Sequence, residues 1–161
     1  MRLTTTGSYN VAVGQESLYA NTTGASNVAI GYQALDANTT ADYNTALGIS
    51  ALGANTTGTN NTAVGAFALD AVTTASYSTA VGYSALSANT TGNRNVAMGV
   101  DALQECTTGD DNTAFGYNAL ENPTTASDNT AVGSYALTSN TTGERNTGVG
   151  KGVLQSTTTG S

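Results

Sequence analysis

The chain has 161 residues, of which Thr, Ala, Gly and Asn supply 30, 25, 19 and 17, so bulky core material is scarce although 39% of residues are hydrophobic. With no His and one Cys (Cys106), it can build no Ser-His-Asp triad, Cys-His pair, imidazole metal site, internal disulfide or zinc ribbon. A net charge of −7, with Arg2, Arg94, Arg145 and Lys151 as the only cations, speaks against nucleic acid or an anionic membrane surface as a partner. No apolar run approaches the roughly 18 residues of a membrane span. The opening Met1-Arg2-Leu3-Thr4-Thr5-Thr6 has no apolar stretch of the kind a secretion signal carries.

The main signal is a 17-residue internal repeat. Each copy begins at Asn: Asn10, Asn27, Asn44, Asn61, then Ser78 in the one exception, then Asn95, Asn112, Asn129 and Asn146. Next comes a short alternating stretch, Asn-Val/Thr-Ala-Val-Gly, whose period of two predicts a β-strand. Ala stands two residues before the Gly in every copy but one, where Gly148 replaces it. The strand ends at Gly14, Gly31, Gly48, Gly65, Gly82, Gly99, Gly116, Gly133 and Gly150, without slippage. The segment after Gly, such as Tyr32-Gln33-Ala34-Leu35-Asp36-Ala37, contains good helix formers. An isolated helical turn gains little, so this segment is read as strand or irregular, with one turn of helix left open. Four residues after each Gly lies Leu: Leu18, Leu35, Leu52, Leu69, Leu86, Leu103, Leu120, Leu137 and Leu154. Thr-Thr follows at eight and nine after Gly, from Thr22-Thr23 to Thr158-Thr159, and the partial copy Thr5-Thr6-Gly7 opens the series. Thr-Thr reads as a second short β-prone stretch, and the Gly or Ala after it (Gly24, Ala41, Gly58, Ala75) as a turn.

A 17-residue unit cannot bury a face alone, but stacked units can. Helix-pair solenoids need 30 or more residues per repeat, so the unit fits one circuit of a narrow β-coil. The fold class is therefore all-β: a parallel β-solenoid of about nine 17-residue coils, forming one repeat domain over residues 1–161 with uncapped ends. At about 4.8 Å per coil the rod is roughly 45 Å long. The residue before each Gly (Val13, Ile30, Leu47, Val64, Val81, Met98, Phe115, Val132, Val149) is apolar in every copy and is the expected inner face. The opposite face, Asn, Ala and Gly, is small throughout, which points to close approach by the returning chain or a neighbouring subunit. So little bulky core argues for association through that small-residue face, as a trimer.

In a stacked coil, residues 17 apart are neighbours, and each column can be read as a possible site. The Asn, Leu and Gly columns above read as structural ladders, with amides bonding from coil to coil. The Thr-Thr columns read as ladders and turns, with an ice-binding or glycan-binding hydroxyl array as the functional alternative. The column before Asn (Tyr9, Ser26, Tyr43, Asn60, Tyr77, Arg94, Asp111, Asp128, Arg145) pairs Arg94 with Asp111 and Asp128 with Arg145, an ion ladder in preference to a calcium site. Tyr32, Tyr83 and Tyr117, and beside them Phe67 and Tyr135, cover a coil edge or a subunit interface, with sugar stacking as the alternative. Cys106 replaces Asn in its column and reads as an inert thiol. Asn21, Asn38, Asn55, Asn89 and Asn140 head Asn-Thr-Thr sequons, which matter only on a eukaryotic secretory route. The acids are scattered: Asp36, Asp70 and Glu121, and Glu16 and Asp101, share repeat positions, and none of these sits beside an acid of the next coil, so no facing carboxylate pair for glycoside hydrolysis is expected. Catalytic, metal and cofactor-binding residues are none.

Two stretches carry a resemblance. Asn61-Thr62-Ala63-Val64-Gly65 and Tyr83-Ser84-Ala85-Leu86-Ser87-Ala88-Asn89-Thr90-Thr91-Gly92 resemble repeats of bacteriophage tail fibres and related bacterial surface proteins. Asn27-Val28-Ala29-Ile30-Gly31-Tyr32-Gln33-Ala34 is similar to the shorter head repeat of trimeric autotransporter adhesins; here three extra residues follow the Ala-Leu pair. The resemblance covers essentially the whole chain. It implies a left-handed parallel β-roll, three chains side by side, and a role in attachment. It also implies a C-terminal self-cleaving chaperone in some such fibres, of which nothing appears here, so an excised shaft segment or an end-to-end unit is expected.

These readings combine into a structural and adhesive fibre segment, not an enzyme. It is a homotrimeric rigid shaft of a phage tail fibre or bacterial adhesin, in a virion or at a cell surface, meeting a surface glycan or receptor of unknown identity. It needs no cofactor, binds no nucleic acid and inserts in no membrane. The alternatives are a monomeric ice-binding or glycan-binding solenoid and a self-polymerising extracellular filament subunit.

Overall fold

The computed structural model describes residues 6–156 and 158–160; Arg2 and Thr5 of the opening partial copy lie outside them. Nine three-residue strands follow in chain order: β1 (Val11–Val13), β2 (Val28–Ile30), β3 (Thr45–Leu47), β4 (Thr62–Val64), β5 (Thr79–Val81), β6 (Val96–Met98), β7 (Thr113–Phe115), β8 (Thr130–Val132) and β9 (Thr147–Val149). They form one parallel sheet in sequence order. Every pairing keeps the register of the repeat, so Val11 meets Val28, Ala46 meets Ala63 and Met98 meets Phe115. The chain is a β-solenoid with one strand per 17-residue coil, and eight coil-to-coil steps make it about 40 Å long.

The remaining residues of each coil are turns, with neither helix nor strand among those described. Thr-Thr therefore forms no second strand. The turns are nonetheless tied from coil to coil by backbone hydrogen bonds, as where Leu35 N–H donates to Ala51 O at 3.1 Å and Thr56 N–H to Thr73 O at 3.0 Å. The turn after Gly is also closed within itself, Asn38 N–H donating to Leu35 O at 3.3 Å. Besides the strand-end Gly, three positions per coil take left-handed backbone, all non-glycine except Gly152, most unexpectedly the Leu column, with φ from 47° at Leu18 to 55° at Leu86. A left-handed non-glycine residue costs about 1–2 kcal/mol. Burying a Leu side chain returns about 1.5–3 kcal/mol, which is why Leu and not Gly holds the position.

Glycine is obligatory at the strand end. Gly14 has φ +125°, and a Cβ there would lie 2.6 Å from Gly31 O of the next coil. The same close approach repeats up the column as far as Gly133.

The core corrects the sequence expectation about which strand face is inner. Ala29, Ala46, Ala63, Ala80, Ala97, Ala114 and Ala131, at the strand centres, are fully buried. The bulky column before Gly points outward: Leu47 is 45% exposed and Phe115 51%. The Asn and Ala columns are thus filled by the returning chain of their own coil and are not a subunit face. A 17-residue coil closes on an interior too narrow for Val or Ile on the strand. It takes Ala there and the Leu column opposite. One local exchange shows the fit: Gly148 stands where other coils have Ala, and a Cβ there would lie 3.0 Å from Val153, which itself replaces Ala.

Candidate functional surfaces

The described residues enclose no pocket and bring no three His, Cys, Asp or Glu together to hold a metal. What the chain presents is surface, laid out in columns, over an interior of hydrogen-bonded ladders.

The Asn column at the start of each strand is buried and bonds forward to the next coil. Asn44 Oδ1 accepts from Asn61 N–H at 2.9 Å, and Asn44 Nδ2 donates to Gly58 O at 2.8 Å. The amides of this column therefore grip backbone; among its described members direct amide-to-amide bonds join Asn95 to Asn112 and Asn112 to Asn129, both at 3.2 Å. A second buried amide column, the sequon residues, closes the local turn. Asn55 Nδ2 donates to Gly58 O at 2.9 Å, and its Oδ1 accepts from Gly58 N–H at 3.1 Å. Buried, these sequon residues serve the fold. The inner Thr file is also a ladder: Thr22 Oγ1 donates to Thr39 O at 3.0 Å, and so on to Thr141 and Thr158 O at 3.0 Å. The outer Thr of each pair stays exposed.

The first surface is the outer face of the sheet. Its columns are the first and last residues of each strand, with the residue after Gly (Tyr32, Ile49, Tyr83, Val100, Tyr117) beside them. Among the exposed large hydrophobic side chains, Val13, Ile30, Leu47, Phe115 and Val149 all lie in it. Its strand columns contain no charged residue, and Lys151 is the single charge in the flanking column. Edge-to-face ring pairs, Phe67 with Tyr83 at 5.9 Å and Tyr117 with Tyr135 at 5.3 Å, border it. The Tyr135 hydrogen bond also raises the Tyr117 hydroxyl above its ordinary pKa.

The second surface is the column before Asn, all of it in left-handed backbone. In its first half Tyr9, Tyr43 and Tyr77 alternate with Ser26 and Asn60; in its second half it is charged. The expected Arg94–Asp111 pair forms, with Arg94 Nε donating at 2.7 Å and Nη2 at 2.7 Å to the two carboxylate oxygens. That hydrogen bonding holds Asp111 below the usual carboxylate range and raises Arg94. Asp128 does not pair with Arg145, which instead lies 3.9 Å from Glu144. Such exposed pairs contribute little to stability.

Among the other acids, burial pushes Asp36 and Asp70 up. Burial also raises Asp101, with a smaller push from Glu121, and Glu16 adds a similar push on Asp36. Comparing each column only with itself could not reveal these neighbours, because the partners sit at different positions of adjacent coils. Cys106 is buried, and burial pushes its thiol up to about 11, which disfavours the reactive thiolate.

Comparison with protein-family models, with curated proteins and with solved structures finds no match for this chain.

Proposed function

We propose that the chain is a structural and adhesive fibre segment, in which three copies pack along their sheet faces into a rigid shaft of a phage tail fibre or bacterial surface adhesin. The observation that carries this reading is the outer sheet face: apolar throughout the column before Gly, without charge in its strand columns, and continuous over all nine strands. In projection it measures about 13 Å by 40 Å, or about 500 Å² per chain. Three such faces meeting on one axis bring together about 1,500 Å², shared over three pairwise contacts that are each smaller than a standard two-chain interface and hold only together. The carboxylates lie on other columns, so chains of charge −7 can meet there without placing like charges together. The number three and the attachment role rest on the resemblance to tail-fibre and adhesin repeats. The subunit face is therefore the sheet face, in place of the Asn and Ala columns. A shaft of this kind acts mechanically, its ladders keeping register under load.

Light scattering on the purified chain tests this. A mass near three chains is expected. Val81→Lys, at an exposed position in the middle of the face, should return the mass to 16.0 kDa with unchanged far-ultraviolet circular dichroism. A wild-type protein that weighs one chain sinks the reading, and open-ended growth favours the filament.

A further inference from the structure

The Tyr file on the second surface has no explanation in folding. Left-handed backbone favours Gly, Asn and Asp, and the same column does use Asn60, Asp111 and Asp128. Tyr9, Tyr43 and Tyr77 occupy it at φ 61°, 61° and 62°. A buried ring could repay that strain, but these are 88%, 63% and 63% exposed. Among the described residues they enter neither of the two ring pairs, and their hydroxyls make no hydrogen bond, in contrast to Tyr117. The spacing is the second observation. The three stand two coils apart, about 10 Å, which is twice the parallel strand spacing. The coils between them offer small polar side chains, Ser26 and Asn60.

We propose that this file is a binding strip for an extended, uncharged β-1,4-linked hexose polymer, one Tyr stacking on every second sugar. In such a chain each ring is turned over relative to its neighbour, so the same apolar face recurs every two sugars. The length of two sugars matches two coils. Aromatic rings present flat apolar surface to that face, while Ser26 and Asn60 stand opposite the intervening sugar hydroxyls. The acidic rod selects against anionic glycans. A second copy of the chain fits the strip poorly: a file one residue wide, broken by polar side chains, offers no continuous apolar surface for a flat partner face to cover.

The inference rests on the attachment role proposed above in that it gives that role a ligand class, but it holds for one chain or three. Cellohexaose and chitohexaose are titrated into the full chain by calorimetry, with α-linked maltohexaose as the control for shape. Binding of at least one β-linked hexasaccharide is expected, with maltohexaose at least tenfold weaker. Tyr43→Asn, which the column's backbone accommodates as at Asn60, should weaken binding at least tenfold with the melting temperature kept or raised. Tyr32→Ala, on the sheet side, should leave it unchanged. Failure of both β-linked sugars to bind, equal binding of maltohexaose, or indifference to Tyr43→Asn each overturns the proposal. A three-chain mass without sugar binding keeps the fibre and loses the strip; sugar binding by a single chain does the reverse.

Discussion

The two buried amide ladders look interchangeable in sequence and are not. Both converge on the same carbonyl in each coil, that of the Gly or Ala after Thr-Thr. The strand-start ladder reaches it from the preceding coil, as Asn61 Nδ2 does to Ala75 O at 2.8 Å. The turn ladder reaches it from within the coil, as Asn89 does to Gly92 O at 2.8 Å. The first is nearly unbroken, with Ser78 its one lapse; among the described residues the second lapses at Val72, Cys106 and Pro123. The lapses never coincide. Where Val72 or Pro123 gives no amide, Asn61 or Asn112 donates to Ala75 O or Ala126 O. Where Ser78 gives none, Asn89 does. A buried carbonyl left without a donor costs more than a second donor adds. That asymmetry explains why either ladder tolerates gaps and the pair does not.

The largest expected effect comes from breaking the ladder where its companion is already missing. Asn61→Ala strips the donor from Ala75 O and the acceptor from Ser78 N–H, bonded to Asn61 Oδ1 at 2.9 Å. Two buried groups then lack partners, a loss of about 2–5 kcal/mol. Asn44→Ala should cost less, because Asn55 still donates to Gly58 O. Urea unfolding of the two variants checks the order; equal losses would mean that the ladders do not back each other up.

A sharper test uses Ser78. Asn89→Ala orphans both Gly92 O and Gly92 N–H, the latter bonded to Asn89 Oδ1 at 3.0 Å. Asn140→Ala orphans only Gly143 N–H, since Asn129 covers the carbonyl. Asn89→Ala should therefore cost about 1–3 kcal/mol more than Asn140→Ala. Ser78→Asn should stabilise by about 1 kcal/mol and bring the cost of Asn89→Ala down to that of Asn140→Ala. A double-mutant cycle reads this coupling directly, and additivity of the two substitutions would falsify it.

Much of this was legible in the repeat. The 17-residue period, the strand ahead of each Gly, the Leu core and the amide and Thr ladders all follow from columns. What was not legible was which strand face is inner. Alternation defines two faces and does not say which one the coil closes on. A signal was present in size: the Ala column never exceeds Ala, and its one change, Gly148, is matched by Val153, as a packed interior requires. The column before Gly ranges from Val13 to Phe115, which only an open surface tolerates. The Leu column's left-handed backbone leaves no mark in composition, because burial outweighs local preference there. The Tyr file is the converse case, where a residue type defies its local preference without burial, and that mismatch emerges only once backbone and exposure are both known.

The smallest expected effect lies at Cys106, the turn ladder's sulfur substitute. Its Sγ sits 3.7 Å from Gly109 O, a carbonyl already served by Asn95 Nδ2 at 2.7 Å. Removing that weak contact should cost little, so the thiol matters chiefly through its proton. Burial raises it from 9.0 to about 11 in the folded chain. Between those values the unfolded chain has already released the proton while the folded chain still holds it. Stability should therefore fall as pH rises from 9 towards 11, and be unaffected by this group below 9. Cys106→Ser lacks that titration and should lose the slope. Urea midpoints for the two proteins at pH 8, 9.5 and 10.5 measure it. Parallel curves would mean that the thiol is more accessible than its burial implies, and rapid alkylation of the native protein at pH 8 would say the same.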